Sequence, residues 1–229
     1  MDRGYRAVNA IGRLALRALD VRVHWTGAEQ VPTEGPVIVA ATHVSSPDFV
    51  FVERVAAERG RYLRFLTRHD VWVPGMRWLL DAMGHVPVDR TTPASAYLHA
   101  RRLLRQGEAV GIFPEAGISY SYTVRSLMKG VASLARDTGA PVVPVAIWGS
   151  QRIYSVGIPE PAPSLARGRR VDLAFGPVRY AAPQTDLVAW TTDLGHTLTR
   201  MLEGLQQMTE HRPRHGEHAP WHPAQPFAR

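Results

Sequence analysis

The chain has 229 residues, of which 45% are hydrophobic and 21% charged, and it contains no cysteine. This length fits one domain that buries about 70–75% of the surface of its unfolded chain. The missing cysteines exclude a disulfide framework, a zinc–thiolate site and thiol catalysis. The 27 basic and 20 acidic residues give a net charge of +7, which favours anionic partners such as lipid headgroups, nucleotides or nucleic acid.

The N-terminal segment carries the first clear pattern. Residues 3–19 have helical periodicity, with four arginines inside about 80° of arc and an apolar side opposite them. These arginines are Arg3, Arg6, Arg13 and Arg17. Such a helix either lies in a membrane interface, where it binds anionic lipid, or packs on the domain with its arginines in water.

The sequence contains no candidate for a membrane-spanning helix, since no apolar run approaches the roughly 18 residues that one needs. The N-terminus also lacks the apolar core and cleavage site of a signal peptide. We therefore expect a cytoplasmic protein, either soluble or peripheral on the inner face of the cell membrane, with an anionic membrane surface as one partner.

Short apolar runs alternate with helical patterns along the rest of the chain. Seven runs predict strands at 21–25, 36–41, 62–66, 85–88, 109–113, 142–148 and 171–175. Helices are predicted at 47–59, 93–105, 126–138 and 186–210, and a helical stretch at 71–83 is interrupted at Pro74-Gly75. Strands joined by helix-length crossovers indicate an α/β fold, with a mixed, largely parallel sheet flanked by helices. We divide the chain into an N-terminal amphipathic helix (1–20), one domain (21–210) and a tail (211–229).

The tail is rich in histidine, proline and arginine. Its four histidines have spacings that would suit one face of a helix: His211, His215, His218 and His222. Pro213 and Pro220 break helical continuity, and no carboxylate-rich partner lies nearby in the sequence. We predict a solvated, irregular tail and no metal site.

Polar clusters directly follow three of the predicted strands. Residues 43–48 follow the strand at 36–41, Asp89-Arg90 follows 85–88, and Pro114-Glu115 follows 109–113. Ligands of open α/β sheets bind outside the carboxyl ends of the strands. We therefore expect these three clusters to line one cleft.

The first cluster contains a histidine and a carboxylate that suit proton transfer. His43 lies on the loop and Asp48 in the first turn of the next helix, where the helix dipole favours a negative charge. From there Asp48 can accept a proton from one imidazole nitrogen and leave the other free to act as a base near neutral pH. In isolation, the alternative is a hydrogen-bonded core histidine beside a helix-terminal charge.

Four motifs occur in order along the chain. The first is His43, four residues, and Asp48; the second is a glycine and an apolar run that ends in an arginine, residues 84–90. The third is Phe113-Pro114-Glu115-Ala116-Gly117-Ile118, and the fourth is Val143-Pro144-Val145. In order and spacing they resemble the glycerolipid acyltransferase family typified by 1-acylglycerol-3-phosphate acyltransferase, over roughly residues 20–180. The resemblance implies a glycerol-3-phosphate acyltransferase-like fold.

The resemblance also implies a reaction. A fatty acyl group would move from coenzyme A or acyl carrier protein to the free hydroxyl of a lysophospholipid such as 1-acylglycerol-3-phosphate, with no further cofactor and no metal. His43 would deprotonate the hydroxyl, a contribution of about 10²–10⁴ in rate, and Asp48 would fix the tautomer and stabilise the imidazolium. No covalent acyl-enzyme is needed, which agrees with the absence of cysteine and of a Gly-x-Ser-x-Gly elbow.

The acceptor's phosphate is assigned by the resemblance to Arg90 and to the third motif, in which Glu115 and Gly117 lie. An arginine fork is well shaped for phosphate. Taken alone, Arg90 could instead pair with Asp89, and Glu115 could be a carboxylate at the start of a helix.

The third motif departs from the family pattern at one charge. The family has Gly-Thr-Arg where this chain has Ala116-Gly117-Ile118, so the arginine is missing. A charge-assisted hydrogen bond contributes about 1.5–3 kcal/mol, so the loss needs an explanation. Either Arg125 or Lys129 replaces the arginine, or the acceptor is a different lipid or polyol.

Residues 71–80 are apolar and include two tryptophans, which suits either plain core or a membrane interface near the acyl chain.

Two other functional classes compete with the transferase. A hydrolase would use the same His43 and Asp48 with water as acceptor. A non-catalytic basic protein would bind membrane or nucleic acid, but the arginine clusters are scattered and short of aromatic residues, so we expect no specific nucleic-acid partner.

Overall fold

The computed structural model describes residues 2–89, 91–119, 121–154 and 167–208. The strands in these ranges are β1 (Arg22–Thr26), β2 (Val37–Ala41), β3 (Leu63–Arg68), β4 (Val86–Val88), β5 (Ala109–Ile112), β6 (Val142–Trp148) and β7 (Arg170–Phe175). The helices are α1 (Asp2–Ala18), α2 (Asp48–Glu58), α3 (Arg77–Met83), α4 (Pro93–Arg105), α5 (Gly130–Thr138) and α6 (Leu187–Gln207).

The strands form one sheet in the order β1-β7-β6-β2-β5-β3-β4. Only the pairing of β6 with β7 is antiparallel among the described strand pairs. The predicted α/β fold with a mixed, largely parallel sheet is therefore confirmed. Because β2 lies between β6 and β5, its carboxyl end is at the middle of one sheet edge, next to the carboxyl ends of both neighbours.

Helices cover both faces of the sheet, and β2 contributes to the core on each side. Val37, Val39 and Ala41 pack in the cluster that includes α2, whereas Ile38 and Ala40 pack in the cluster that includes α4, α5 and α6. Successive side chains of a strand point to opposite faces, so a strand buried on both sides needs an uninterrupted apolar run. This explains why every residue of β2 is apolar.

Two predicted helical segments are shorter in the structure. The helical stretch predicted at 71–83 is a 3-10 turn at His69–Val71 followed by α3, with the predicted interruption at Pro74-Gly75, where Gly75 has a φ of +91°. The helix predicted at 126–138 begins only at Gly130. The Met128 N–H donates to the carbonyl of Pro114 at 2.8 Å, so residues before Gly130 are bound to the third motif rather than to their own helix.

Helix α1 packs on α2 and α3, and it differs in part from the predicted amphipathic pattern. Tyr5 is fully buried, and its hydroxyl accepts the N–H of Leu63 at 3.2 Å. Ile11 and Leu14, however, are 62% and 68% exposed. Apolar side chains therefore face both the protein and the solvent. No helix in the described ranges is long and apolar enough to cross a membrane.

Candidate functional site

The first and third predicted clusters meet at the carboxyl edge of the sheet. His43 follows β2 by one residue, and Asp48 is the first residue of α2. The third motif follows β5, the neighbour of β2. The backbone N–H of His43 donates to Glu115 Oε1 at 2.9 Å, and its carbonyl accepts the N–H of Ser119 at 2.7 Å. The topology thus joins residues 72 positions apart.

Asp48 is fully buried, and hydrogen-bond donors surround its carboxylate. Oδ2 accepts the backbone N–H groups of Val44 at 2.7 Å and Ser45 at 2.8 Å, and lies 3.0 Å from His43 Nδ1. Oδ1 accepts the hydroxyl of Ser150 at 2.5 Å. These donors fix the orientation of the carboxylate at the N-terminus of α2.

The imidazole of His43 is fixed in orientation by two contacts. An ionised carboxylate only accepts hydrogen bonds, so Nδ1 carries the proton and Nε2 has the lone pair of the neutral ring. The ring stacks on Phe113, with centroids 3.9 Å apart and planes at 10°. The side chain is 15% exposed, and Nε2 has no hydrogen-bond partner among the described residues. Nε2 is therefore the atom that can take a proton from a bound molecule.

Glu115 links the first motif to the segment after the third. Its Oε1 accepts the N–H of His43, and its Oε2 accepts the N–H of Arg125 at 2.9 Å. Burial raises the pKa of Glu115 to about 7, an effect that these two backbone hydrogen bonds oppose. The alternative of a helix-start carboxylate is wrong, because Glu115 lies in a turn that no helix follows before α5. Each oxygen accepts one backbone N–H group, so Glu115 joins the first motif to the segment at Arg125.

The other predicted residues of this region lie on the segment that runs from β5 to α5. Gly117 is half-buried in the turn of the third motif, and Lys129 is exposed at the N-cap position of α5. Arg125 is exposed, and its Nη1 donates to the carbonyl of Ile118 at 3.3 Å. Ile118 is the position where the family motif has its arginine. The Arg125 guanidinium therefore lies beside the position of the missing charge.

Two of the predicted features lie outside the described residues. These are Arg90, expected to hold phosphate, and the histidines of the tail. Asp89 is described, and its Oδ1 accepts both the N–H and the hydroxyl of Thr91, at 2.8 and 2.7 Å. These hydrogen bonds hold the pKa of Asp89 below its ordinary value. Within the described ranges, no group of three His, Asp or Glu side chains is arranged to hold a metal ion.

Sequence reasoning missed the roles of two residues that touch the His43–Asp48 pair. The sequence identifies Phe113 only as the first residue of the third motif. Its stacking on the imidazole of His43 depends on β5 lying next to β2. Ser150 was not recognised at all. It follows β6, the other neighbour of β2, so strand order is the signal that would have indicated it.

The chain is similar in sequence to known proteins. The family model described as Acyltransferase matches residues 22–148, more than half of the chain. The chain is 25% identical over 147 residues to the 1-acyl-sn-glycerol-3-phosphate acyltransferase of Borreliella burgdorferi, covering 62% of this chain and 57% of that protein. It is 28% identical over 141 residues to LPAT1, a chloroplastic 1-acyl-sn-glycerol-3-phosphate acyltransferase of Arabidopsis thaliana, covering 59% and 38%.

A solved structure has the same fold. The 1-acyl-sn-glycerophosphate (LPA) acyltransferase PlsC from Thermotoga maritima matches with a TM-score of 0.74 and 23% sequence identity, over 89% of this chain and 80% of that one. The chain spans less than two thirds of the length of the two curated relatives.

Proposed function

The chain belongs to the Acyltransferase family, as its four motifs predicted, and we propose that it transfers a fatty acyl group from an acyl thioester to the free hydroxyl of a lysophospholipid. The observation that carries this proposal is the His43–Asp48 pair, with a fully buried carboxylate and a partly exposed imidazole. Coenzyme A and acyl carrier protein are the proposed thioester donors, and 1-acylglycerol-3-phosphate is the acceptor named for several relatives.

The proposed reaction needs one base and no covalent enzyme intermediate. His43 Nε2 takes the proton of the acceptor hydroxyl as its oxygen attacks the thioester carbonyl carbon. The carbonyl π electrons move to oxygen and form a tetrahedral oxyanion. When the carbonyl reforms, the carbon–sulfur bond breaks, and the leaving thiolate takes the proton back from the imidazolium. Asp48 stabilises the imidazolium between these two steps, because its Oδ2 lies 3.0 Å from Nδ1.

The experiment that tests this function is a thiol-release assay with a long-chain acyl thioester, run with and without lysophospholipid. Acyl transfer predicts release that depends on the acceptor. Equal release in both conditions would indicate a hydrolase that uses the same residues with water. Absence of release in both would contradict the proposed chemistry.

Arg125 is the proposed replacement for the third-motif arginine. Its backbone is held by Glu115 and its guanidinium lies against Ile118, which supports a phosphate-binding role at the position of the lost charge. Arg125→Gln should raise KM for a phosphate-bearing acceptor by about tenfold or more and leave kcat nearly unchanged. Arg102→Gln, an exposed arginine on α4, is the matched control.

An unchanged KM in Arg125→Gln would argue against this assignment. Lys129→Gln then tests the second candidate. If neither variant alters KM, the acceptor lacks a phosphate held by this segment, and a panel of lysolipids and polyols would identify it. Arg90 and Gly117 stay proposed members of the acceptor site.

We also propose that the protein binds an anionic membrane surface through α1. Ile11 and Leu14 point to solvent, and the neighbouring α3 segment exposes Met76 and Trp78. Arg13 and Arg17 line a depression together with Arg54 of α2. Burial lowers the pKa of Arg54, and the charges of Arg13 and Arg17 lower it further. The exposed apolar side chains can contact the acyl chains of a membrane, and the nearby arginines can bind its anionic headgroups.

Vesicle co-sedimentation tests the membrane proposal. The double variant Ile11→Glu and Leu14→Glu should pellet far less with vesicles of phosphatidylcholine and phosphatidylglycerol, and wild-type binding should weaken at high salt. Leu98→Glu changes a comparably exposed leucine on α4 and serves as the control. Equal, salt-independent pelleting of all three proteins would contradict the proposal.

A further inference from the structure

The two oxygens of the Asp48 carboxylate have very different partners. Oδ2 has two backbone N–H donors and the imidazole of His43, whereas Oδ1 has the hydroxyl of Ser150 as its one donor within the described part of the chain. Asp48 and Ser150 are both fully buried. Water therefore does not replace a lost donor at Oδ1, and the orientation of the carboxylate depends on this serine.

The fold delivers Ser150 to this position from β6. This strand runs parallel to β2 and pairs Val145 with Ala41, so the ends of the two strands lie side by side. The hydroxyl of Thr42 accepts the N–H of Ile147 at 3.0 Å, which ties the strand ends together. Ser150 begins the 3-10 turn that follows β6.

Gly149 makes the turn to Ser150 possible. Its φ is +102°, and a Cβ at this position would lie 2.3 Å from the carbonyl oxygen of Arg170. The N–H of Gly149 donates to the side chain of Gln151 at 2.9 Å. Farther along, the hydroxyl of Ser45 donates to the carbonyl of Tyr154, so the segment contacts the first motif twice. The position of Ser150 is thus determined by packing as well as by its own hydrogen bond.

We propose that Ser150 is a positioning residue for the acyl transfer proposed above, holding Asp48 Oδ1 so that Oδ2 stays directed at His43 Nδ1. Without the hydroxyl, a buried anionic oxygen has no donor. The carboxylate then rotates to recover a donor, which turns Oδ2 away from Nδ1. The imidazole loses the group that orients it and stabilises its protonated form, so His43 becomes a poorer base for the acceptor hydroxyl. This inference rests on the proposed function and concerns the same two residues.

The test compares Ser150→Ala and Ser150→Cys with wild type in the acyl transfer assay. Ser150→Ala should lower kcat by about tenfold with little change in KM, because the serine contacts no substrate. The acidic limb of the pH profile of kcat/KM should move down by about 0.5 pH units, because the displaced carboxylate stabilises the imidazolium less. Cysteine keeps nearly the same volume with a weak S–H donor, so its kcat should be intermediate.

Two controls separate positioning from structural effects. Thr138→Ala removes a hydroxyl hydrogen bond at the end of α5, near the start of β6 and therefore at the opposite edge of the sheet, and should leave kcat and the acidic limb unchanged. Glu115 also titrates near His43, with a pKa raised to about 7, so the limb is measured in Glu115→Gln and in the Glu115→Gln, Ser150→Ala double variant. The shift caused by Ser150→Ala should be the same in both backgrounds.

Several results would overturn the inference. If Ser150→Ala has the kcat of wild type, the serine does not act through Asp48. The same conclusion follows if kcat falls but the acidic limb of the pH profile of kcat/KM does not move. If circular dichroism shows that Ser150→Ala is unfolded, Ser150→Cys decides by the same criteria. Failure of the wild-type enzyme to transfer acyl groups is a separate outcome, since it contradicts the proposed function itself.

Discussion

Two histidine–carboxylate pairs lie among the described residues, and their surroundings differ. In the first, His43 is 15% exposed and its Nδ1 faces a carboxylate that several donors hold. In the second, His85 Nε2 lies 3.2 Å from Glu53 Oε1, and the side chains are 0% and 2% exposed. Only the first has a ring nitrogen that a substrate can reach.

Burial also disfavours a charge on His85 and on Glu53. Burial raises the pKa of Glu53 well above its ordinary value and lowers the pKa of His85 to about 4. His85 is therefore neutral at pH 7, and burial favours the protonated form of Glu53. The Phe65 N–H donates to His85 Nδ1 at 3.2 Å, and Tyr5 of α1 hydrogen-bonds Glu53. The His85–Glu53 pair thus connects α1, α2 and β3. The two pairs contain the same kinds of residue, and they differ in whether a substrate can reach the imidazole and in how many hydrogen-bond donors surround the carboxylate.

The largest expected effect separates the two histidines. His43→Ala should lower acceptor-dependent thiol release by about 10²–10⁴-fold, because it removes the proposed base. The fold should remain, since the ring is partly exposed. His85→Ala should instead lower the melting temperature, because it leaves the N–H of Phe65 without its acceptor. Activity of His43→Ala above about a tenth of wild type would contradict the assignment.

The two carboxylates should differ in the same way. Asp48→Asn should reduce kcat by about 10²-fold or more, because an amide cannot accept all the donors and carries no charge to stabilise the imidazolium. Glu53→Gln should keep kcat within about twofold, because burial already disfavours a charge at Glu53 and glutamine is an uncharged side chain of similar volume. Steady-state kinetics with circular dichroism checks both. An equal loss of kcat in the two variants would contradict the different roles assigned to Asp48 and Glu53.

Stability against pH tests two buried groups with opposite signs. The pKa of His85 is lowered from 6.5 to about 4, so its contribution is present above pH 6.5 and is lost as the pH falls to 4. The pKa of Glu115 is raised from 4.5 to about 7, so its contribution is present below pH 4.5 and is lost as the pH rises to 7. Each amounts to at most about 3 kcal/mol.

Urea unfolding at pH 5 and pH 7 measures these contributions. Relative to wild type, His85→Gln should become more stable at the lower pH, and Glu115→Gln should become less stable there. A change of the same sign in both variants would show that burial does not determine these two pKa values.

The smallest expected effect concerns backbone strain at the third motif. Ala116 has a φ of +54°, a left-handed conformation that glycine adopts more readily, and the family motif has glycine at this position. Ala116→Gly should raise the free energy of unfolding by about 0.5–1 kcal/mol. Ala94→Gly in α4 is the contrasting control and should lower it, by up to about 1 kcal/mol. Destabilisation by both substitutions would indicate that Ala116 is not strained.

Much of the fold and the central pair could be predicted from the sequence. The continuous apolar run of β2 identifies a strand buried on both faces, and the polar clusters after β2 and β5 identify one edge of the sheet. His43 and Asp48 are five residues apart, so a loop and one helical turn are enough to bring them together. Local patterns determine these features.

The remaining features depend on contacts between distant segments. Glu115 is predicted at the acceptor site, but its hydrogen bonds to the backbones of His43 and Arg125 could not be predicted from the motif. Ser150 reaches Asp48 only because β6 lies beside β2, and strand order is not encoded in any single segment. The exposure of Ile11 depends on which side of α1 packs against α3. In each case packing, not periodicity, determines the role.

The central claim is tested most directly by product analysis with a radiolabelled long-chain acyl thioester and a panel of lysolipids. Wild type should place the labelled chain on the free hydroxyl of a phosphate-bearing lysolipid, identified by mass spectrometry, and His43→Ala should form no such product. Labelled free fatty acid as the sole product, or an esterified lipid formed equally by His43→Ala, would contradict acyl transfer by a His43 base.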